Sequence, residues 1–180
     1  AIGRPGEQKP PLLLATRSDL DLAAQMKVPG ATWLDHRLIE RGAGVMDGGF
    51  GAEVRRAMDE RTDHLVREGL ARRYGDRVVF QRGLLDTLRR RELDAAGAEI
   101  AGRTGLAYRP TSPGDRVSGI CRQRLALASG RFAMIDDGLG FRLVPWSNDL
   151  ERHLGRQIAG VARDGGGIGW SLGRKRGLGI

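Results

Sequence analysis

The spacing of apolar residues predicts helices in the first half of this chain and strands in the second. Asp19 to Met26 reads as a short helix ended by Pro29-Gly30. Thr32 then caps a second helix whose Trp33, Leu34, Leu38 and Ile39 form one apolar stripe, stopped by Arg41-Gly42-Ala43-Gly44. A third helix, about 51–68, carries Phe50, Val54, Met58 and Leu65 on one face and ends at Gly69, a natural C-cap. Leu70 to Tyr74 and Arg77 to Phe80 read as two strands joined across Gly75-Asp76. Gly83 to Gly105 follows as a longer helix, with Leu84, Leu85, Leu88, Ala95, Ala96 and Ile100 turned inward and Arg89-Arg90-Arg91 mostly outward.

Beyond Tyr108-Arg109-Pro110-Thr111-Ser112-Pro113-Gly114, a linker by composition, the order becomes strand, strand, strand, helix, strand, strand. The strands are expected at 116–124, 131–136, 141–145, 156–163 and 168–172, with the helix at 148–154. Asp136-Asp137-Gly138-Leu139-Gly140 makes the turn of a β-hairpin from Ser129 to Trp146. In the first strand Val117, Cys121 and Leu125 alternate with Arg116, Arg122 and Arg124, which predicts arginines on an outer face. The fold class expected is therefore α+β. An N-terminal helical, winged-helix-like module precedes a small five-stranded β-barrel, OB-like by element order or SH3-like. The divisions are a polar leader 1–29, the helical module 30–82, a connecting helix 83–107, the barrel 108–173 and a basic tail 174–180.

Charge sharpens this picture. The chain of 180 residues has a net charge of +8. Residues 1–29 hold four basic and three acidic side chains, 30–105 hold 14 and 13, and 106–180 hold 12 and 6, giving +1, +1 and +6. A phosphate-bearing partner is thus expected at the barrel first, through Arg116, Arg122, Arg124, Arg131 and Arg142. Phe132, Phe141, Trp146 and Trp170 are the candidates for base stacking there. The hairpin after the third helix offers Arg72, Arg73, Arg77 and Arg82. The third helix itself is nearly charge-balanced, with pairs such as Arg56 with Glu60 and Asp63 with Arg67, so it makes a poor duplex-reading element. Only Lys9, Lys27 and Lys175 of the 30 basic residues are lysine, a bias equally consistent with a GC-rich genome and with guanidinium forks for phosphate.

Few residues offer catalysis. His36, His64 and His153 are isolated, Cys121 sits in an apolar strand, and Asp136-Asp137 belong to a turn, so neither a metal site nor a cofactor is expected. The glycines after Asp164 lack the Lys-Ser/Thr of a phosphate loop. The single cysteine fits a reducing cytoplasm, and no apolar run reaches the roughly 20 residues of a membrane span. A binding module, not an enzyme, is the expectation. The opening AIGRPGEQKPP, without methionine, fits a piece of a longer polypeptide.

Three stretches carry a resemblance: GFGAEVRRAMDERTDHLVREGLARR at 49–73, ASGRFAMIDDGLGFRLVPW at 128–146, and GWSLGRKRGLGI at 169–180. Together they are similar to the C-terminal region of large plasmid-mobilisation relaxases of the T-DNA border endonuclease-like kind. Such proteins nick one strand at a transfer origin and travel with it through a type IV secretion channel, using a tyrosine and a histidine-rich metal site in an N-terminal domain. The chain has no counterpart of those residues. The resemblance implies a non-catalytic accessory region of a bacterial cytoplasmic protein, translocated with the transferred DNA. Its expected partner is DNA, single-stranded by preference. The alternative partners are the type IV coupling protein or accessory proteins at the transfer origin, with Arg174, Lys175 and Arg176 as a candidate signal tail. A free transcriptional regulator is the third reading.

Overall fold

The computed structural model describes residues 21–40 and 51–172. Most of the leader, the stop at 41–44, Phe50 and the tail with Arg174, Lys175 and Arg176 lie outside the described residues. The chain is α+β. Helices α1 (Leu22–Gln25), α2 (Trp33–Glu40) and α3 (Ala52–Arg67) lead into a hairpin of β1 (Ala71–Tyr74) and β2 (Arg77–Phe80), then into α4 (Leu84–Thr104). A sheet follows, of β3 (Ala107–Tyr108), β4 (Arg116–Leu127), β5 (Gly130–Asp136), β6 (Gly140–Pro145), β7 (Gln157–Ala162) and β8 (Ile168–Trp170).

Local chemistry accounts for the helix starts. The Asp21 carboxylate accepts from the Ala24 N–H at 2.7 Å and caps α1. At α2 the capping is reciprocal: Thr32 N–H donates to Asp35 Oδ2 at 2.7 Å, and Thr32 Oγ1 accepts from the Asp35 N–H at 3.4 Å. Asp35 has a second task. Arg61 of α3 is fully buried and grips it twice, Nε to Oδ1 and Nη2 to Oδ2, both at 2.8 Å. The rest of that guanidinium donates to the Val28 carbonyl at 2.7 Å and the Gly30 carbonyl at 2.8 Å. Arg61 thus ties the segment before α2 to the centre of α3. The expected Arg56–Glu60 pair is present at 3.1 Å, whereas Asp63 pairs across to Arg73 on β1 and not along the helix to Arg67.

Helix α4 serves two cores. Its first turns place Leu84 and Leu88 against Leu65 and Leu70. Its last turns set Ile100 against Met134, Phe141 and Leu143. Between them Glu92, a buried carboxylate unforeseen in the sequence, accepts from the Ala128 N–H and the Ser129 N–H and hydroxyl. Ser129 Oγ in turn accepts from the Ala31 N–H at 2.9 Å, and a side chain at Gly30 would overlap the Glu92 carboxylate. One hydrogen-bonded cluster therefore joins the start of α2, the middle of α4 and the β4–β5 turn. Ala95, expected inward, is exposed.

The second half departs from the barrel expectation. Its strands form an open six-stranded sheet in the order β3-β6-β5-β4-β7-β8, with β3 parallel to β6 and every other pairing antiparallel. The sixth strand is β3, hidden in a stretch whose prolines read as linker. At two and three residues, the edge strands β3 and β8 do not pair to close the ring. Tyr108 lies in β3, its ring seated where Gly97 of α4 has no side chain. One sheet face is covered by α4. The other packs Val117, Cys121, Ile135, Val144 and Ile158 around Leu150, which comes from a 3-10 turn, Asn148–His153, where an α-helix was expected.

The regular alternation expected along β4 is also broken. The register with β5 shifts between Cys121 and Gln123, a β-bulge with Arg122 as the extra residue. Before it, Val117 and Cys121 share the face of Ile135; after it, Arg124 pairs with Ala133 on that face and Leu125 turns to α4. Arg122 and Arg124 therefore do not extend one regular outer row begun by Arg116.

Candidate nucleic-acid interface

The hairpin sorts its side chains cleanly. Gly75-Asp76 forms a two-residue connection, and the register pairs Arg72 with Val79 and Tyr74 with Arg77. Since side chains alternate, Ala71, Arg73, Val78 and Phe80 share one face, while Arg72, Tyr74, Arg77 and Val79 share the other. The first set packs inward: Ala71, Val78 and Phe80 join the core with Leu70 and Leu84, and Arg73 pairs with Asp63. The second set faces out. Tyr74 is 59% exposed and Val79 54%. Arg72 and Arg77 make no ion pair among the described residues, nor does Arg82 just beyond them. Beside this face a groove of about 600 Å³ runs between β2 and the start of α4, with Ile39, Val79 and Leu85 among its walls and Arg77 and Arg82 at its rim.

The sheet spends its arginines differently. Arg122 donates to Asp136 Oδ2 at 3.0 Å. Arg124 lies 3.5 Å from Glu151 and 5.5 Å over the Trp146 ring. Arg142 donates to the Pro110 carbonyl at 2.8 Å and to Asp115 at 3.2 Å. Arg116 and Arg131 have no ion pair among the described residues, but they stand near opposite ends of β4, on the order of 30 Å of strand apart. The aromatic candidates are mostly consumed as well. Phe132 and Phe141 are buried, and Trp146 and Trp170 are half-buried against the core.

Of the residues expected to meet phosphate, the structure thus groups Arg72 and Arg77 with the exposed Tyr74. It ties Arg73, Arg122, Arg124 and Arg142 to carboxylates. Tyr74 was not singled out for stacking from sequence, although period two already places it between Arg72 and the turn.

The shifted titratable groups follow their hydrogen bonds and burial. The Asp137 carboxylate accepts from the Leu139 and Gly140 N–H groups, which hold its pKa below the ordinary carboxylate value, and Asp136 accepts from Gly138. The Ser112 N–H and Arg142 lower Asp115 in the same way. Burial lowers His64, with Arg61 adding to the effect, and raises the thiol of Cys121. Among the described residues no three His, Cys, Asp or Glu side chains gather as metal ligands, and no helix is long and apolar enough to cross a membrane.

A family model described as "Protein of unknown function (DUF3363)" matches residues 6–179, nearly the whole chain. No curated protein and no solved structure matches it.

Proposed function

The chain belongs to the DUF3363 family, and we propose that it is a non-catalytic, DNA-binding accessory region of a conjugative relaxase, with the β1–β2 hairpin as its main contact. The observation that carries this is the outer hairpin face, where two guanidinium groups without carboxylate partners flank an exposed tyrosine. Free guanidinium groups bind backbone phosphates, and an exposed ring offers a surface on which a base stacks without sequence preference. Helices followed at once by such a hairpin also fit the winged-helix-like arrangement, in which the wing meets the backbone. Here the wing is the phosphate-binding part and α3 is not a reading helix, since its most central arginine is locked inside the module. The resemblance to mobilisation relaxases supplies the setting: a single strand held near the transfer origin in the bacterial cytoplasm and passed on through a type IV channel.

The test is fluorescence anisotropy with labelled single-stranded and duplex oligonucleotides at two salt concentrations. Binding to the single strand that weakens with salt is expected, and no binding at low salt would sink the reading.

A second reading, docking to the type IV coupling or secretion machinery, is favoured by the groove beside β2. Among the described residues that strand pairs with β1 alone, and its other edge lies beside the groove, where an extended peptide could add. Under this reading, deleting 174–180 or filling the groove abolishes plasmid transfer while nicking by the parent protein persists.

A further inference from the structure

Between α4, the loop 109–115 and the β7–β8 turn lies a cleft of about 150 Å³, walled by Leu93, Tyr108, Pro110, Pro113, Leu143 and Ile168. An apolar cavity of about that size engineered into another protein holds one benzene ring. The polar groups around the cleft are few and convergent. Thr111 Oγ1 is enclosed and has no hydrogen-bond partner, which is rare for a buried hydroxyl. Tyr108 lines the cleft and is half-buried, and burial pushes its pKa up to about 12. Arg90 and Arg163 are exposed at the rim, and neither makes an ion pair among the described residues. Asp94 lines the cleft too.

These features select a ligand class. A bare anion would meet the charge of Asp94. A purely apolar ring would leave Thr111 unpaired and two cations unused. A single six-membered ring matches the size of the cleft, as benzene matches that of the engineered cavity. A single polar ring with amine donors, carrying a phosphate on a short tether, meets every group: carboxylates accept from the exocyclic amine of cytosine, and guanidinium forks take phosphate.

We propose that this cleft receives one pyrimidine base of a single-stranded nucleotide, cytosine above thymine, with its phosphate at Arg90 and Arg163. The site rests on the nucleic-acid role proposed above and deepens it, since an unpaired base leaving the hairpin would gain a second, selective anchor.

The test is two-dimensional amide NMR of the full chain titrated with dCMP, dTMP, dAMP and inorganic phosphate. Saturable shifts at Thr111, Ser112 and Arg163 are expected with dCMP, weaker ones with dTMP, and none there with dAMP or phosphate. Thr111→Val should weaken dCMP about fivefold. Ser112→Trp, which plugs the mouth from an exposed position, should abolish the shifts without unfolding the chain. Equal response to dAMP or phosphate, shifts elsewhere, or indifference to Ser112→Trp would overturn the cleft. The two proposals fail separately. Loss of all oligonucleotide binding with intact dCMP shifts counts against the hairpin, and intact oligonucleotide binding without dCMP shifts counts against the cleft.

Discussion

The helical half and the sheet half place their arginines differently, although each leaves some of them without an ion pair among the described residues. The sheet half carries the larger formal excess of arginine, yet its Arg122, Arg124 and Arg142 are each neutralised by a carboxylate across the fold. The helical half is formally near neutral, yet it buries one arginine completely and leaves two others on an outward hairpin face beside an exposed tyrosine. Net charge per segment is therefore a poor map of available charge. Surface pairs of this kind contribute little to stability, about 0–1 kcal/mol, but each reduces the field that an incoming phosphate would meet.

The largest effect that would break this contrast is at Arg61. Arg61→Ala leaves Asp35 buried and uncompensated and should cost about 3–5 kcal/mol, read as a fall in the urea midpoint. Retention of wild-type stability would show that the helical module is not organised around that pair. Glu92→Ala should come next, costing about 2–3 kcal/mol, because the Ala128 and Ser129 donors lose their acceptor inside the structure. Separate unfolding transitions for the two halves in that variant would show that the Glu92 cluster is what couples them.

The decisive comparison is functional. Arg72→Ala with Arg77→Ala should leave stability within about 0.5 kcal/mol and flatten the slope of log affinity against log salt by about 0.7 for each phosphate of a single strand that the variant no longer neutralises. Arg122→Ala with Arg124→Ala should change neither slope nor affinity measurably. The reverse result would return the interface to the sheet. The smallest effect is at Tyr108. In a Tyr74→Phe background its phenolate absorbance should rise near pH 12 rather than 10. Because the unfolded tyrosine loses its proton first, stability is unaffected below pH 10 and falls as pH rises between those values.

Much of the fold was legible in the chain. Thr32 as a cap, Gly75-Asp76 as a two-residue turn and the apolar stripe of α3 all state local rules, and local rules act over a few residues. The same stripe placed Arg61 among Val54, Met58 and Leu65, so its burial was visible in the spacing, but a lone arginine reads as a surface residue until its partner is known. The bulge at Arg122 has no glycine or proline to mark it and arises from pairing with β5. β3 was hidden by Pro110 and Pro113, and two residues are too few to show a period.

The sequence by itself determined the order of the elements other than β3, the two faces of the β1–β2 hairpin and the presence of abundant arginine, because periodicity and turn chemistry are written in neighbouring residues. Only the tertiary structure decided that the sheet stays open, that Asp35 and Glu92 are interior acceptors, and which arginines remain available. The acceptor roles and the arginine pairings between elements depend on partners that lie anywhere from 10 to 37 positions away and are brought within hydrogen-bond reach only by the packing of α3 and α4 and the pairing of the strands, while the sheet stays open because its short edge strands do not pair with each other.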